Sequence, residues 1–418
     1  MAKPPLSGIK VCDFTWVWAG PFCTLQLAHL GAEVIRIETK NRPCVTRMLP
    51  PWPEGKFDSI NKSGYFNQYN QGKKSLSLNF KYREAHEAAW RLIKRADVVI
   101  NNFAAGVLDR MGFGYEAIKQ VNPNVVMASL SGYGDTGPYS HYVAYGPAQV
   151  PLSGLSALTG YKDFPPMHAG FSYADPNAGV HGAFAIIAAL YHRAKTGEGQ
   201  YLDMSQWECA MDLLAEGILE YTMNGREPER VGNRDPLMAP HGIFKCLDLP
   251  ERILDVTIDQ WVTIVCADDA EWARLANVLG NEPGKPELAR DVRFKTFEAR
   301  KSNEDALEAV ITEWTSTRKV AQVVETLQAA GVAAGACADN KYIAEDPHLN
   351  AREYFVYREH PEVGQQQHCG IPWRMSGTPC EVRSAAPLLG QHTDEVLTGL
   401  LGYSAAEVAA MRAQGALD

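Results

Sequence analysis

The chain has 418 residues, 46% hydrophobic and 21% charged, which is enough for a substantial core spread over two or three domains. A formal net charge of −9 without any Lys/Arg-rich run excludes the basic face of a nucleic-acid binder, though it leaves room for a local cationic pocket. Nine cysteines with no CxxC pair argue against a disulfide framework or structural zinc. No signal-type stretch and no run of about 20 apolar residues is present, so a cytoplasmic protein without a membrane partner is expected.

The predicted elements alternate. Gly8 to Phe14 reads as a buried strand, Phe22 to Leu30 as a helix ended by Gly31, and Glu33 to Glu38 as a second strand, together a βαβ unit. Tyr82 to Arg95 (helix), Ala96 to Asn101 (strand), Val107 to Gln120 (helix) and Val125 to Leu130 (strand) continue the pattern, and a glycine-rich loop follows at 131–138. An Ala-rich helix covers Ala178 to Ala194, then a strand Gln200 to Met204 and a helix Gln206 to Tyr221. Such alternation predicts an α/β fold with a Rossmann-like parallel sheet. Residues 224–242 read as a long loop. A smaller α/β unit follows, with strands Gly242 to Lys245 and Val262 to Cys266 and helices Ala270 to Leu279, Asn303 to Thr315 and Val320 to Ala330. The chain is irregular from Val332, and a helix pair, Asp394 to Leu401 and Ser404 to Gln414, closes it. The expected organisation is a large domain (1–195 plus 394–418), a linker (196–230), a small domain (231–330) and a returning linker (331–393).

The first turn, Trp16-Val-Trp-Ala-Gly-Pro21, lacks the GxGxxG cradle of a dinucleotide site. The P-loop, the serine-hydrolase elbow and histidine metal motifs are also missing, so no metal site is expected; a lone histidine such as His181 reads as a packed side chain. Asp175 stands in Ser-Tyr-Ala-Asp-Pro-Asn-Ala-Gly, just before an apolar helix. Local sequence alone favours an N-cap, since Asp caps well and Pro suits the first helical position. A carboxylate nucleophile fits the same place.

Several stretches, in this order and spacing, carry a family resemblance: Leu-Ser-Gly-Ile-Lys-Val-Cys-Asp-Phe-Thr, Ala-Gly-Pro-Phe-Cys-Thr, Leu-Gly-Ala-Glu-Val-Ile-Arg-Ile-Glu, Asn-Gln-Gly-Lys-Lys-Ser-Leu-Ser-Leu-Asn, Lys-Thr-Gly-Glu-Gly-Gln and Ala-Pro-Leu-Leu-Gly-Gln-His-Thr-Asp. The chain resembles the class III CoA-transferases. That resemblance implies Asp175 as the nucleophile, and CoA contacts from Trp18, Ala19, Leu78, Lys81, Asn102, Phe103 and Arg110, with Tyr145 on an active-site tyrosine. Lys40, Arg47, Lys81 and Arg110 are the cations expected for the nucleotide phosphates. It also implies an acyl-CoA thioester and a carboxylic acid as substrates, no tightly bound cofactor, and an interlocked ring-like dimer, either a homodimer or a pair with a related sister subunit.

The chain departs from the formyl-CoA transferases at Thr39 (their arginine), Val143 (their lysine) and Trp18 (their glutamine), and residues 232–242 replace their glycine run. Oxalate and formate are therefore not the expected acids. The aromatics Trp16, Trp18, Tyr145, Phe171 and Tyr173 suggest an apolar or aromatic acid, with Arg234 as a holder of a second carboxylate. The sequence also resembles the succinyl-CoA-dependent transferases of anaerobic aromatic degradation, which implies succinyl-CoA as donor and a substituted succinate such as benzylsuccinate as acceptor. The alternatives are an intramolecular transferase using the same aspartate, a 2-methylacyl-CoA racemase, and a non-catalytic CoA-binding subunit. The racemase histidine position falls on Tyr145, a poor acid–base group near neutral pH.

Overall fold

A computed structural model describes residues 3–249, 252–253, 256–280 and 288–418. The chain divides into two compact units, one of residues 1–157, 167–228 and 348–418, the other of 158–166 and 229–347.

The first unit holds a six-stranded parallel sheet: β1 Lys10–Asp13, β2 Glu33–Glu38, β3 Lys74–Ser77, β4 Val98–Asn101, β5 Val126–Ser131 and β6 Gln200–Ser205. Their order across the sheet is β3-β2-β1-β4-β5-β6. The order reverses between β1 and β4, so the chain leaves those two strands in opposite directions and opens a crevice beyond their carboxyl ends. One face of the sheet packs on helix α3 (Arg83–Ile93) and the C-terminal segment, with Leu76, Leu92, Phe113, Leu397 and Met411 buried together. The other packs on α1 (Ala19–His29) and the 23-residue α8 (Ala174–Thr196), with Leu27, Leu130 and Ile186 in that core. Between these lie α2 (Gly64–Tyr69), α4 (Val107–Arg110), α5 (Tyr115–Val121), α6 (Gly146–Leu152) and α7 (Leu155–Leu158). The second unit carries an antiparallel sheet in the order Ala333–Ala336, Trp261–Val265, His241–Lys245. It is backed by the helices Asp269–Gly280, Glu304–Thr315 and Val320–Ala329.

The parallel sheet and the smaller α/β unit are the architecture expected, and the differences have local causes. Strand β3 was not anticipated because its sequence, Lys-Ser-Leu-Ser, has no apolar run. Of its two buried serines, Ser75 donates its hydroxyl to Glu38 at 2.8 Å. The helix expected over Val107 to Gln120 breaks into α4 and α5 at Gly112, whose φ is +85°. Residues 196–230 are not a simple linker, since β6 pairs with β5 along its whole length. In the returning segment, Ala333–Ala336 joins the smaller sheet, and Phe355–His360 pairs with Gly364–Cys369 as a hairpin of the first unit. Helix α8 starts at Ala174 with Tyr173 as N-cap and no capping side chain, so Asp175 sits inside the first turn and does not cap it.

Candidate active site

Two helix starts converge on Asp175. Its side chain is buried in the first turn of α8. Helix α1 begins at Ala19, three residues before the sequence pattern suggested, because Pro21 is tolerated in a first turn that needs no N–H partner. The Ala19 N–H, which opens that turn with no partner inside the helix, faces the Asp175 carboxylate and favours its charged form. Burial raises the Asp175 pKa to about 6, against the lowering by this N–H and by its own. Close packing of α1 and α6 onto the start of α8 needs glycine. A Cβ on Gly179 would lie 2.9 Å from the Ala19 carbonyl, and one on Gly146 would lie 1.8 Å from Asp175 Oδ2.

The loop after β1 connects this carboxylate to the crevice. Asn102, following β4, grips Trp16 from both sides: its Oδ1 accepts from the Trp16 N–H and its Nδ2 donates to the Trp16 carbonyl, each at 2.8 Å. Val17 is held at φ +63°, a costly conformation for a β-branched residue, with its N–H on Cys44 Sγ at 3.2 Å. The Trp18 ring then packs against Tyr65, Tyr69 and Phe171 at centroid distances of 5.6, 5.3 and 6.2 Å, and Phe171 packs on Tyr173.

On the other side of that loop is a cavity of about 880 Å³, within the size of a cofactor site. It is lined from the ends of β1 to β4 by Trp16, Ile37, Leu78, Phe103 and neighbouring residues, and by Tyr145, with Lys81 and Arg42 as its cations. Of the residues predicted from sequence, Leu78, Lys81, Phe103 and Tyr145 line this cavity, Ala19 faces Asp175, and Trp18 packs among Tyr65, Tyr69 and Phe171. Asn102 fixes Trp16 without lining the space. Arg110 is exposed and outside the lining. Lys40 is also exposed and stands 3.4 Å from Asp418 Oδ1.

Arg47 is not available to a ligand. It is fully buried, pairs twice with Glu38 at 2.9 and 2.7 Å, and lies 3.6 Å from the Phe66 ring centroid. Burial raises the Glu38 pKa, but Arg47 overrides it and holds the group at about 2. Removing one partner of such a pair costs about 3–5 kcal/mol. Arg234 belongs to the second unit and is held by Glu308 at 2.7 Å and by Asp305, so its charge is already spent on carboxylates. Arg42, Tyr65, Tyr69 and Gly146 were missed from sequence. Arg42 had a signal in its place two residues beyond Lys40; Tyr65 and Tyr69 have helical i, i+4 spacing on a short helix that the pattern did not reveal.

A family-wide sequence model of CoA-transferase family III matches residues 6–393. The chain belongs to that family. This CoA-transferase is 34% identical to a formyl-CoA:oxalate CoA-transferase of Streptomyces coelicolor, with all of both chains covered. It is 32% identical to a succinyl-CoA–D-citramalate CoA-transferase of Chloroflexus aurantiacus, covering 98% of this chain and 97% of the other. Among solved structures, a CaiB/BaiF family protein from Brucella suis superposes with a TM-score of 0.83 at 32% identity, over 96% of this chain and 100% of that one. The enzyme thus acts on acyl-CoA thioesters and carboxylic acids.

Proposed function

We propose that Asp175 is the nucleophile of this CoA-transferase, that succinyl-CoA is the donor and that a substituted succinate is the acceptor, with benzylsuccinate at the apolar end of the range. One observation carries the reading: two backbone segments, 16–19 and 145–146, each contribute to the cavity at one end and touch Asp175 at the other. A thioester whose CoA moiety fills the cavity has a short path to the carboxylate.

An Asp175 oxygen attacks the thioester carbonyl and the C–S bond breaks, giving a mixed anhydride and CoA thiolate. The thiolate attacks the aspartyl carbonyl and expels succinate, leaving aspartyl-CoA. The acceptor carboxylate attacks that thioester and releases the thiolate again. The thiolate takes the new acyl group and restores the Asp175 carboxylate. The Ala19 and Gly20 N–H groups, which open α1 ahead of Pro21, suit the oxyanions formed at this carbonyl.

The acceptor reading draws on the aromatic wall of Trp18, Tyr65, Tyr69 and Phe171. D-citramalate, named for one relative, is itself a substituted succinate. The test is a panel of benzylsuccinate, phenylsuccinate, citramalate, malate, oxalate and formate under succinyl-CoA. A tenfold preference in kcat/KM for oxalate or formate would overturn the acceptor assignment and leave the transferase intact.

Attack needs the ionised carboxylate. Because Asp175 is raised to about 6, kcat/KM is expected to fall as the pH drops through about 6, well above the ordinary carboxylate range. A profile flat down to pH 4.5 would contradict this. Arg42, 5.2 Å from the Trp16 ring centroid, is assigned to the anionic nucleotide end of the substrate. Arg42→Ala is expected to raise KM for acyl-CoA about tenfold with kcat nearly unchanged, the mark of lost uniform binding. Unchanged KM in steady-state kinetics would remove Arg42 from the site.

The interlocked dimer is part of the same proposal. Val180 and Phe184 on α8, and Ile218, Leu219 and Met223 on the helix Ala215–Asn224, are exposed apolar residues that a second chain would cover. Light scattering that finds a fully active monomer would exclude it. A cytoplasmic place suits an enzyme that draws on acyl-CoA; among the described residues no helix is long and apolar enough to cross a membrane.

A further inference from the structure

Beneath the turn that faces Asp175 lies a lysine with no access to any ligand. Lys73 is 1% exposed. Its Nζ donates to the Pro21 carbonyl at 2.8 Å and to Asn70 Oδ1 at 3.0 Å, and stands 3.9 Å from Asp13 Oδ2. Asp13 accepts from the Thr15 N–H and from Thr24 Oγ1, both at 2.7 Å.

A buried ammonium costs several kcal/mol of desolvation, and an apolar side chain of this length would fill the space more cheaply. What the lysine adds is a fixed point. Pro21 is the third residue of α1, and Thr15 is where the chain leaves β1. Lys73 and Asp13 therefore pin both ends of the stretch that carries Trp16, Trp18 and the Ala19 N–H. We propose that Lys73 is a positioning residue for catalysis: through Pro21 and Asp13 it sets the first turn of α1, and with it the Ala19 N–H, against the Asp175 carboxylate.

The charged and titratable groups facing Lys73 are Asp13 on β1, Cys23 and His29 on α1, and Arg36 and Glu38 on β2. Burial lowers its pKa to about 7, against the raising by Asp13. As ammonium or as amine it keeps at least two N–H donors, enough for Pro21 and Asn70. The titratable group that faces Asp175 is Tyr65 on α2, which burial holds above its ordinary pKa and so neutral throughout the tested range.

The inference rests on Asp175 being the nucleophile, and the test separates the two. In Lys73→Met, kcat is expected to fall about 30-fold while KM for acyl-CoA changes less than about threefold, since the reacting group is misplaced and the CoA cavity is not. The acid limb of kcat/KM moves to higher pH by about half a unit, because a loosened Ala19 N–H no longer favours the carboxylate. Asp13→Asn, nearly isosteric, is expected to move both readouts the same way, and it decides the matter if the methionine variant does not fold. Folded variants with an unmoved acid limb, or with KM altered and kcat intact, overturn the proposal. Retained activity and an unchanged limb in Asp175→Ala would instead overturn the nucleophile.

Discussion

Asp175→Ala is expected to lower CoA transfer at least about a thousandfold while the protein keeps its fold. The reason is chemical. Without the carboxylate no anhydride forms, and two substrate carboxyl groups have no route for exchanging CoA in this site. The fold should not suffer, because Asp175 caps nothing and its raised pKa marks a place that disfavours the charge it carries above pH 6. An equal or slightly higher Tm is the expected companion of lost activity, as in other sites where stability is given up for function. Transfer above a few per cent of the parent rate in a folded variant would end the assignment.

The second large effect comes from adding one methyl group. Gly146→Ala puts a Cβ where Asp175 Oδ2 stands, 1.8 Å away, and 2.8 Å from the Ser172 Cβ. One of them must move, and the carboxylate is the mobile end of a side chain. Displacing a reacting atom by about 1 Å can cost 10²-fold, so kcat is expected to fall about a hundredfold with little change in KM for acyl-CoA. Alanine is the better helix former at this first position of α6, so thermal stability should not fall in parallel. Full activity in Gly146→Ala would mean that Asp175 is not held as described.

Much of the first unit was legible in the sequence because its strands are short apolar runs separated by amphipathic helices. Glu33–Glu38 was bounded correctly, and the three helices expected in the second unit fell within a residue or so, while the short helices Phe297–Ser302 and Asn340–Glu345 were not anticipated. Strand β3 was hidden because it buries serines, and the break between α4 and α5 because Gly112 interrupts a pattern that otherwise stays helical. The site was legible through the family resemblance, since residue type alone read Asp175 as a helix cap. Asp175, Leu78, Lys81, Phe103 and Tyr145 were named in advance, and the structure places the last four on one cavity.

Contacts that depend on three-dimensional proximity were not legible. Arg47 looked like a free cation until Glu38 was found beside it, two strand residues from Arg36. Gly146 carries no sequence signal, and its meaning lies wholly in the distance to a carboxylate 29 positions further along the chain. Lys73 sits in a basic-looking stretch, Gly-Lys-Lys-Ser, in which one lysine reaches Glu33 and Glu395 while its neighbour is swallowed by the core. Nothing in the order of residues distinguishes the two.

The central claim is that CoA passes through a covalent bond to Asp175, and mass analysis of the trapped enzyme tests it most directly. Enzyme mixed with succinyl-CoA, quenched in acid and digested, is expected to yield the peptide containing Asp175 with the mass of CoA added in thioester linkage. Quenching with hydroxylamine should convert the same side chain to a hydroxamate. Both adducts should vanish in Asp175→Ala. A thioester or hydroxamate found on another side chain while transfer proceeds would contradict the account.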